Sequence, residues 1–218
     1  MSRVILLWSG GKDAMLALCH ARQAGHQVVA LATFAPPKPR FLAHPLPLVR
    51  RQAEALGLPH LLVTIEAPFD LGYERALARL KEEWQLDGVV TGDIDSVGGA
   101  PNWIRERCRP LDLAVHTPLW QQSREALLAD LLTRGIVAHL SCVDTRVLAP
   151  EWVGRTLDAT TLAELQLLAT SRGFDACGEQ GEYNTMVTDG PGFAAPLILG
   201  HWQVARQEQL AYLLEDEG

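Results

Sequence analysis

The sequence has little of what several protein classes need. Its four cysteines, Cys19, Cys108, Cys142 and Cys177, lie far apart and form no Cys-x-x-Cys pair. That argues against a structural zinc site and against a dithiol redox motif, and leaves buried free thiols as the expectation. The seven histidines are scattered, with no His-x-x-x-His pair for a metal. No segment approaches a membrane-spanning apolar stretch, and no small-residue cleavage site follows an apolar core near the start, so the expected location is cytoplasmic. Cationic residues are outnumbered, 19 Lys and Arg against 26 Asp and Glu, giving a formal net charge of −7. Phosphate backbones need clustered Lys and Arg, so nucleic acid is not an expected partner. The two small clusters, Arg50-Arg51 and Arg105 with Arg107 and Arg109, read as solvated helix faces. Two familiar phosphate loops, G-x-x-x-x-G-K-[ST] and G-x-G-x-x-G, are also absent.

A different loop is present. The apolar run Val4-Ile5-Leu6-Leu7-Trp8 leads into Ser9-Gly10-Gly11-Lys12-Asp13, and a helical pattern follows over residues 14–24. A strand that enters a small-residue loop and then a helix start makes an anion cradle. Glycines admit close backbone approach, the helix N-terminus attracts negative charge, and Lys12 adds a cation. The expected ligand carries phosphates.

The first half alternates strand and helix signals. Strands are expected over residues 4–8, 27–33, 60–65, 88–92 and 114–117, and helices over 13–24, 48–56, 72–84 and 102–109. Short apolar strands alternating with helices imply an α/β fold with a Rossmann-like parallel sheet. Ligands of such sheets sit beyond the C-terminal ends of the strands. Ser9 to Lys12 lie at one such end and Thr91-Gly92-Asp93 at another. Residues 35–47 carry five prolines, at 36, 37, 39, 45 and 47, which forbid regular structure. That segment reads equally as a surface loop or as a lid offering Phe41 and His44. After Trp120 the pattern changes. Helices are expected over residues 122–134 and 160–172, and strands over 136–143, 185–188 and 198–204. The expected organisation is therefore a domain over residues 1–121 and a smaller α+β domain over residues 122–218.

A second polar constellation lies in the C-terminal half, Cys177-Gly178-Glu179-Gln180-Gly181-Glu182-Tyr183-Asn184-Thr185. Two carboxylates, two amides, a phenol and a hydroxyl around two glycines can orient polar groups and position a general base. An ordinary turn is the competing reading of this segment.

Taken together, these motifs resemble the diphthine–ammonia ligase family and its bacterial ATP-binding relatives, within the PP-loop ATP pyrophosphatases. The loop Ser9-Gly10-Gly11-Lys12-Asp13 matches the family's S-G-G-K-D, and Glu179 to Thr185 match its E-x-G-E-[YF]-x-T. Between them, His44-Pro45, Gly92-Asp93-Ile94, Pro118-Leu119-Trp120 and Trp152-Val153-Gly154-Arg155 fall in family order. Departures are Ala14 where Ser or Thr is usual, Gln180 where the ligase has Gly, and Asn184 where it has Glu.

The resemblance implies an adenine nucleotide alpha-hydrolase-like fold and an ATP-dependent, AMP- and pyrophosphate-forming amide ligase acting on a carboxylate and ammonia. It implies that Ser9, Gly10, Gly11, Lys12, Asp13, Gly92 and Asp93 bind ATP. Asp13 and Asp93 would hold Mg2+, although Asp13 can instead cap its helix. Lys12, Glu179 and Glu182 would be catalytic. His44, Tyr183, Asn184 and Thr185 would contact the acyl substrate. The alternatives are an ATP-binding relative with another substrate, a non-catalytic nucleotide module, and a tRNA-modifying PP-loop enzyme, which the acidic composition disfavours. The sequence leaves the oligomeric state open, a homodimer included.

Overall fold

The computed structural model describes residues 1–96 and 102–215, the Glu215 side chain excepted. The chain divides into two compact units. The first comprises Met1–Ser9, Asp13–Arg40 and Gly57–Gln121. Its strands β1 (Arg3–Leu7), β2 (Gln27–Ala35), β3 (His60–Thr64), β4 (Gly88–Val90) and β5 (Ala114–His116) form one sheet in the order β3-β2-β1-β4-β5. All four pairings are parallel. The order reverses between β1 and β4, which is where a doubly wound sheet opens a crevice beyond its carboxyl ends.

The strands are continuous apolar runs because both faces are covered. Val4, Ile5 and Leu6 are buried, as are Ala30, Leu31 and Ala32 on the neighbouring strand. On one face Ile5, Ala30, Ala32, Val63 and Val89 pack with Tyr73, Ala76, Leu77 and Leu80 and with Cys108. The first four of these partners share one stripe of α3 (Phe69–Trp84), and Cys108 ends α4 (Trp103–Cys108). At the carboxyl edge, an ideal Cβ on Gly92 would fall 2.8 Å from the carbonyl carbon of Asp13 and 2.9 Å from the nitrogen of Ala14. Only glycine lets the segment after β4 lie against the first turn of α1 (Lys12–Gln23).

The second unit comprises Gly10–Lys12, Phe41–Leu56 and Gln122–Gly218. Strands β6 (Val137–Asp144), β7 (Tyr183–Asp189), β8 (Trp202–Gln207) and β9 (Leu210–Glu215) form an antiparallel sheet in the order β7-β6-β9-β8. Helices α5 (Arg124–Thr133) and α6 (Ala159–Arg172) are capped by the Ser123 and Asp158 side chains, which accept from the amides of Ala126 and Thr161. The unit therefore draws two short pieces from the first half of the chain. One holds α2 (Leu46–Ala55), which begins inside the proline-rich segment expected to be irregular. Pro47 stands in its first turn, where a missing N–H costs nothing.

Strand β9 was not expected from the sequence. Ala211, Tyr212 and Leu213 are buried consecutively, so no two-residue period marks the strand. It lies inside the sheet, with Tyr212 opposite both Cys142 and Ala205. Among the described residues no helix is long and apolar enough to cross a membrane.

Candidate active site

The Gly10–Lys12 segment is held by backbone chemistry. The Gly10 carbonyl accepts from the Val187 amide at 2.9 Å and from Gln52 Nε2 at 2.9 Å. The same Gln52 nitrogen donates to the Val187 carbonyl at 2.7 Å. Gln52 is fully buried on the stripe Leu48, Val49, Gln52, Ala53 of α2. These bonds explain why the segment and α2 belong with the C-terminal unit. Sequence reasoning passed over Gln52. Its signal was available as a polar residue standing one turn after Leu48, on the apolar stripe.

Gly10 has φ +85°, and an ideal Cβ there would lie 2.4 Å from Gln52 Oε1. Gly10→Ala is therefore expected to lower unfolding free energy by about 2–4 kcal/mol, from backbone strain and displaced buried hydrogen bonds. Urea denaturation of the purified variant checks this.

Lys12 opens α1, and its amide donates to Thr185 Oγ1 at 3.0 Å. An ideal Cβ on Gly11 would be 3.3 Å from the Thr185 carbonyl oxygen, a tight contact, and 3.5 Å from His44 Cε1, an ordinary one. The Lys12 side chain is buried. Its Nζ lies 3.9 Å from Glu179 Oε1 and 5.7 Å from the Tyr183 ring centroid. The structure thus gathers Gly10, Gly11, Lys12, His44, Glu179, Tyr183, Asn184 and Thr185, residues drawn from three separated stretches of sequence.

The loop of residues 175–182 is organised from beneath. The two oxygens of the buried Glu182 carboxylate accept from the amides of Asp175 and Gln180, each at 2.9 Å. The Tyr183 hydroxyl donates to the Ala176 carbonyl at 2.7 Å. Asp175 accepts from Arg124 Nε at 3.1 Å and from the Cys177 amide at 2.8 Å. Two of the expected functional groups, the Glu182 carboxylate and the Tyr183 hydroxyl, are thus engaged with the backbone of the loop that carries Glu179.

The remaining candidates belong to the first unit. Ser9 is exposed after β1, and Asp13 is half-buried in the first turn of α1. Asp93 Oδ2 accepts from Asn102 Nδ2 at 2.7 Å, and Asn102 Oδ1 caps α4 by accepting from the Arg105 amide at 3.0 Å. Among the described residues, no three His, Cys, Asp or Glu side chains converge as a metal cage. Two carboxylates suit Mg2+ better than zinc or calcium, because Mg2+ keeps waters and phosphate oxygens as its other ligands.

His44 is the most perturbed group of the site. Burial pushes its pKa down to about 4, the nearby Lys12 charge acts in the same direction, and a hydrogen bond with Asn184 opposes them. Its Nδ1 is buried without a hydrogen-bond partner among the described residues. The ring is therefore neutral at pH 7. The unfolded chain takes up this proton near pH 6.5 and the folded chain only near pH 4. Stability is fully present above pH 6.5 and is lost as pH falls toward 4, by about 3 kcal/mol from this group. His139 and His116, also lowered by burial, steepen the same slope. In urea melts at pH 7 and pH 4.5, His44→Asn is expected to show a smaller loss than the native chain.

A doubly wound parallel sheet whose first strand runs into a glycine–lysine loop, joined to an antiparallel unit that holds that lysine, defines the class of α/β protein to which this chain belongs. Residues 2–115 match the diphthamide synthase N-terminal domain, and residues 123–210 match the diphthamide synthase C-terminal domain. The chain is 32% identical over 229 residues to the diphthine–ammonia ligase of Danio rerio, covering 90% of this chain and 86% of that protein. It is 30% identical over 233 residues to the diphthine–ammonia ligase of Homo sapiens, covering 93% and 84%. The chain belongs to the diphthine–ammonia ligase family. Among solved structures, a predicted subunit of tRNA methyltransferase from Methanocaldococcus jannaschii is 17% identical with a TM-score of 0.49, covering 88% of this chain and 98% of that one.

Proposed function

We propose that the protein is an ATP-dependent amide ligase that condenses ammonia with a carboxylate and releases AMP and pyrophosphate. The observation that carries this reading is the buried Lys12 of the glycine loop held 3.9 Å from Glu179 of the C-terminal loop, in a chain that matches the ligase family through both of its domains. A non-catalytic nucleotide module would need no such second loop. The relatives' name points to diphthine as the carboxylate.

In this reading a substrate carboxylate oxygen attacks the α-phosphorus of ATP, and the bond from that phosphorus to the bridging oxygen breaks. Lys12 and the start of α1 hold the departing pyrophosphate charge. Ser9, Gly10 and Gly11 line the phosphates, and Gly92 brings the Asp93 segment against the Asp13 backbone. Mg2+ would be held by Asp13 and Asp93, where it would neutralise phosphate charge. Ammonia then attacks the acyl carbon, the bond to AMP breaks, and the excess proton on nitrogen passes to Glu179. Glu182 fixes the loop that carries Glu179. Asn184 and Thr185 orient the acyl group, with Tyr183 walling it. All four cysteines are buried and none is in a disulfide, as suits the reducing cytoplasm to which we assign the reaction.

The test is product analysis with ATP, Mg2+, ammonium and a panel of carboxylates that includes diphthine-bearing peptide. AMP and pyrophosphate in equal amounts, dependent on the carboxylate, are the expected products. ADP and phosphate in their place would rule out adenylation.

A further inference from the structure

We infer that His44 is a polyphosphate contact: its Nδ1, buried against the glycine loop, donates a hydrogen bond to the outer phosphates of the nucleotide. The inference rests on the proposed binding of ATP at Ser9 to Asp13. Three observations carry it. First, Nδ1 is buried with no partner among the described residues, and an unsatisfied buried polar atom needs one. Second, the ring faces the loop, since Cε1, which is bonded to Nδ1, lies 3.5 Å from where a Gly11 Cβ would stand. Third, the side chain is already held through Asn184, and the Lys12 charge acts on it. One ring nitrogen is thus occupied, and the other is buried and unpaired on a ring that packs against the segment carrying the lysine.

The chemistry fits a neutral donor. A neutral imidazole has one N–H and one lone pair. A phosphate oxygen at Nδ1 holds the ring in the tautomer with its proton on Nδ1, and the Asn184 side chain, whose amide can present either its oxygen or its NH2, then donates to Nε2. A neutral donor beside Lys12 adds a directed hydrogen bond without placing a second cation next to the first. This assigns His44 to the nucleotide, where the family resemblance implied the acyl substrate.

The experiment is calorimetric titration of ATP, pyrophosphate and AMP, each with Mg2+, into the native chain and into H44A, H44N and H44Q. The amide nitrogen of Asn stands where Nδ1 stood, whereas that of Gln stands where Nε2 stood. H44A and H44Q are expected to bind ATP and pyrophosphate about tenfold or more weakly, with AMP affinity within about twofold of native, and H44N is expected to restore most of the loss. If H44A does not fold, the contrast between H44N and H44Q decides. Native ATP affinity in both H44A and H44Q would overturn the role of His44 while leaving ATP binding intact. An equal loss for AMP would move the contact off the outer phosphates and overturn the assignment. A native chain that binds no ATP would bring down the ATP reading itself, and this inference with it.

Discussion

Lys12→Met is expected to remove the stabilisation that the proposed binding of ATP would confer and to slow pyrophosphate release by about a hundredfold or more. At roughly a hundred times its dissociation constant, ATP adds about 2.7 kcal/mol to the native chain. For a chain of 218 residues that is a rise in melting temperature of roughly 5–10 °C. The variant loses this rise because the ammonium is the charge at the heart of the loop, and the loss of one preorganised electrostatic donor typically costs ~10²–10³ in rate. The apo melting temperature should move little. Lys12 is buried with its Nζ 3.9 Å from Glu179; an apolar chain of similar length removes the desolvation cost of the ammonium, and the Glu179 carboxylate left behind is 26% exposed and takes water as its partner instead of remaining an uncompensated buried charge. The amide of residue 12 keeps its bond to Thr185 whatever the side chain. Thermal melts with and without ATP and Mg2+ read both quantities at once. A full ATP shift in Lys12→Met would move the phosphates off this loop.

The parts of the fold that were legible in the sequence are those with local signals. The parallel sheet showed in short apolar strands spaced by helices, and its carboxyl-edge loops showed in glycine and charge. The stops of the two C-terminal helices, expected at residues 134 and 172, fall before Gly135 and Gly173 in the structure as well. What escaped was set by contacts distant in sequence. Gln52 looked like one more polar residue until its amide was seen bridging Gly10 and Val187, which lie 42 and 135 positions away. That bridge also moved the loop segment and α2 into the C-terminal unit, an assignment no composition shift announces. β9 escaped because Ala211, Tyr212 and Leu213 are buried in succession, which removes the alternation that marks a strand with one open face. At the site, the two loops were visible as clusters of chemistry, but the division of labour within them was not. Glu179 and Glu182 are equally acidic on paper, and only the backbone amides they meet tell them apart.

That division gives the second large effect. Glu182→Ala is expected to destabilise the chain by about 2–4 kcal/mol and to abolish activity, whereas Glu179→Gln should leave stability within about 1 kcal/mol of native and lose activity alone. The Glu182 carboxylate satisfies the amides of Asp175 and Gln180, and alanine leaves two partly buried donors with no acceptor. Asp175 is also the partner of Arg124 at the start of α5, so loosening residue 175 frees the anchor between the loop and that helix. Glu179 is more open and reaches out toward Lys12, where glutamine keeps the shape and drops the basicity that a proton acceptor needs. Glu182→Gln lies between, since its amide oxygen retains one acceptor while its NH2 meets a second N–H head on. Urea melts paired with turnover at saturating ammonium separate the residues. Equal losses of stability in Glu182→Ala and Glu179→Gln would mean that both carboxylates serve the loop, and the proton acceptor would have to be sought elsewhere. A Glu182→Ala chain with native stability and no turnover would restore Glu182 to the chemistry and make its two amide bonds incidental.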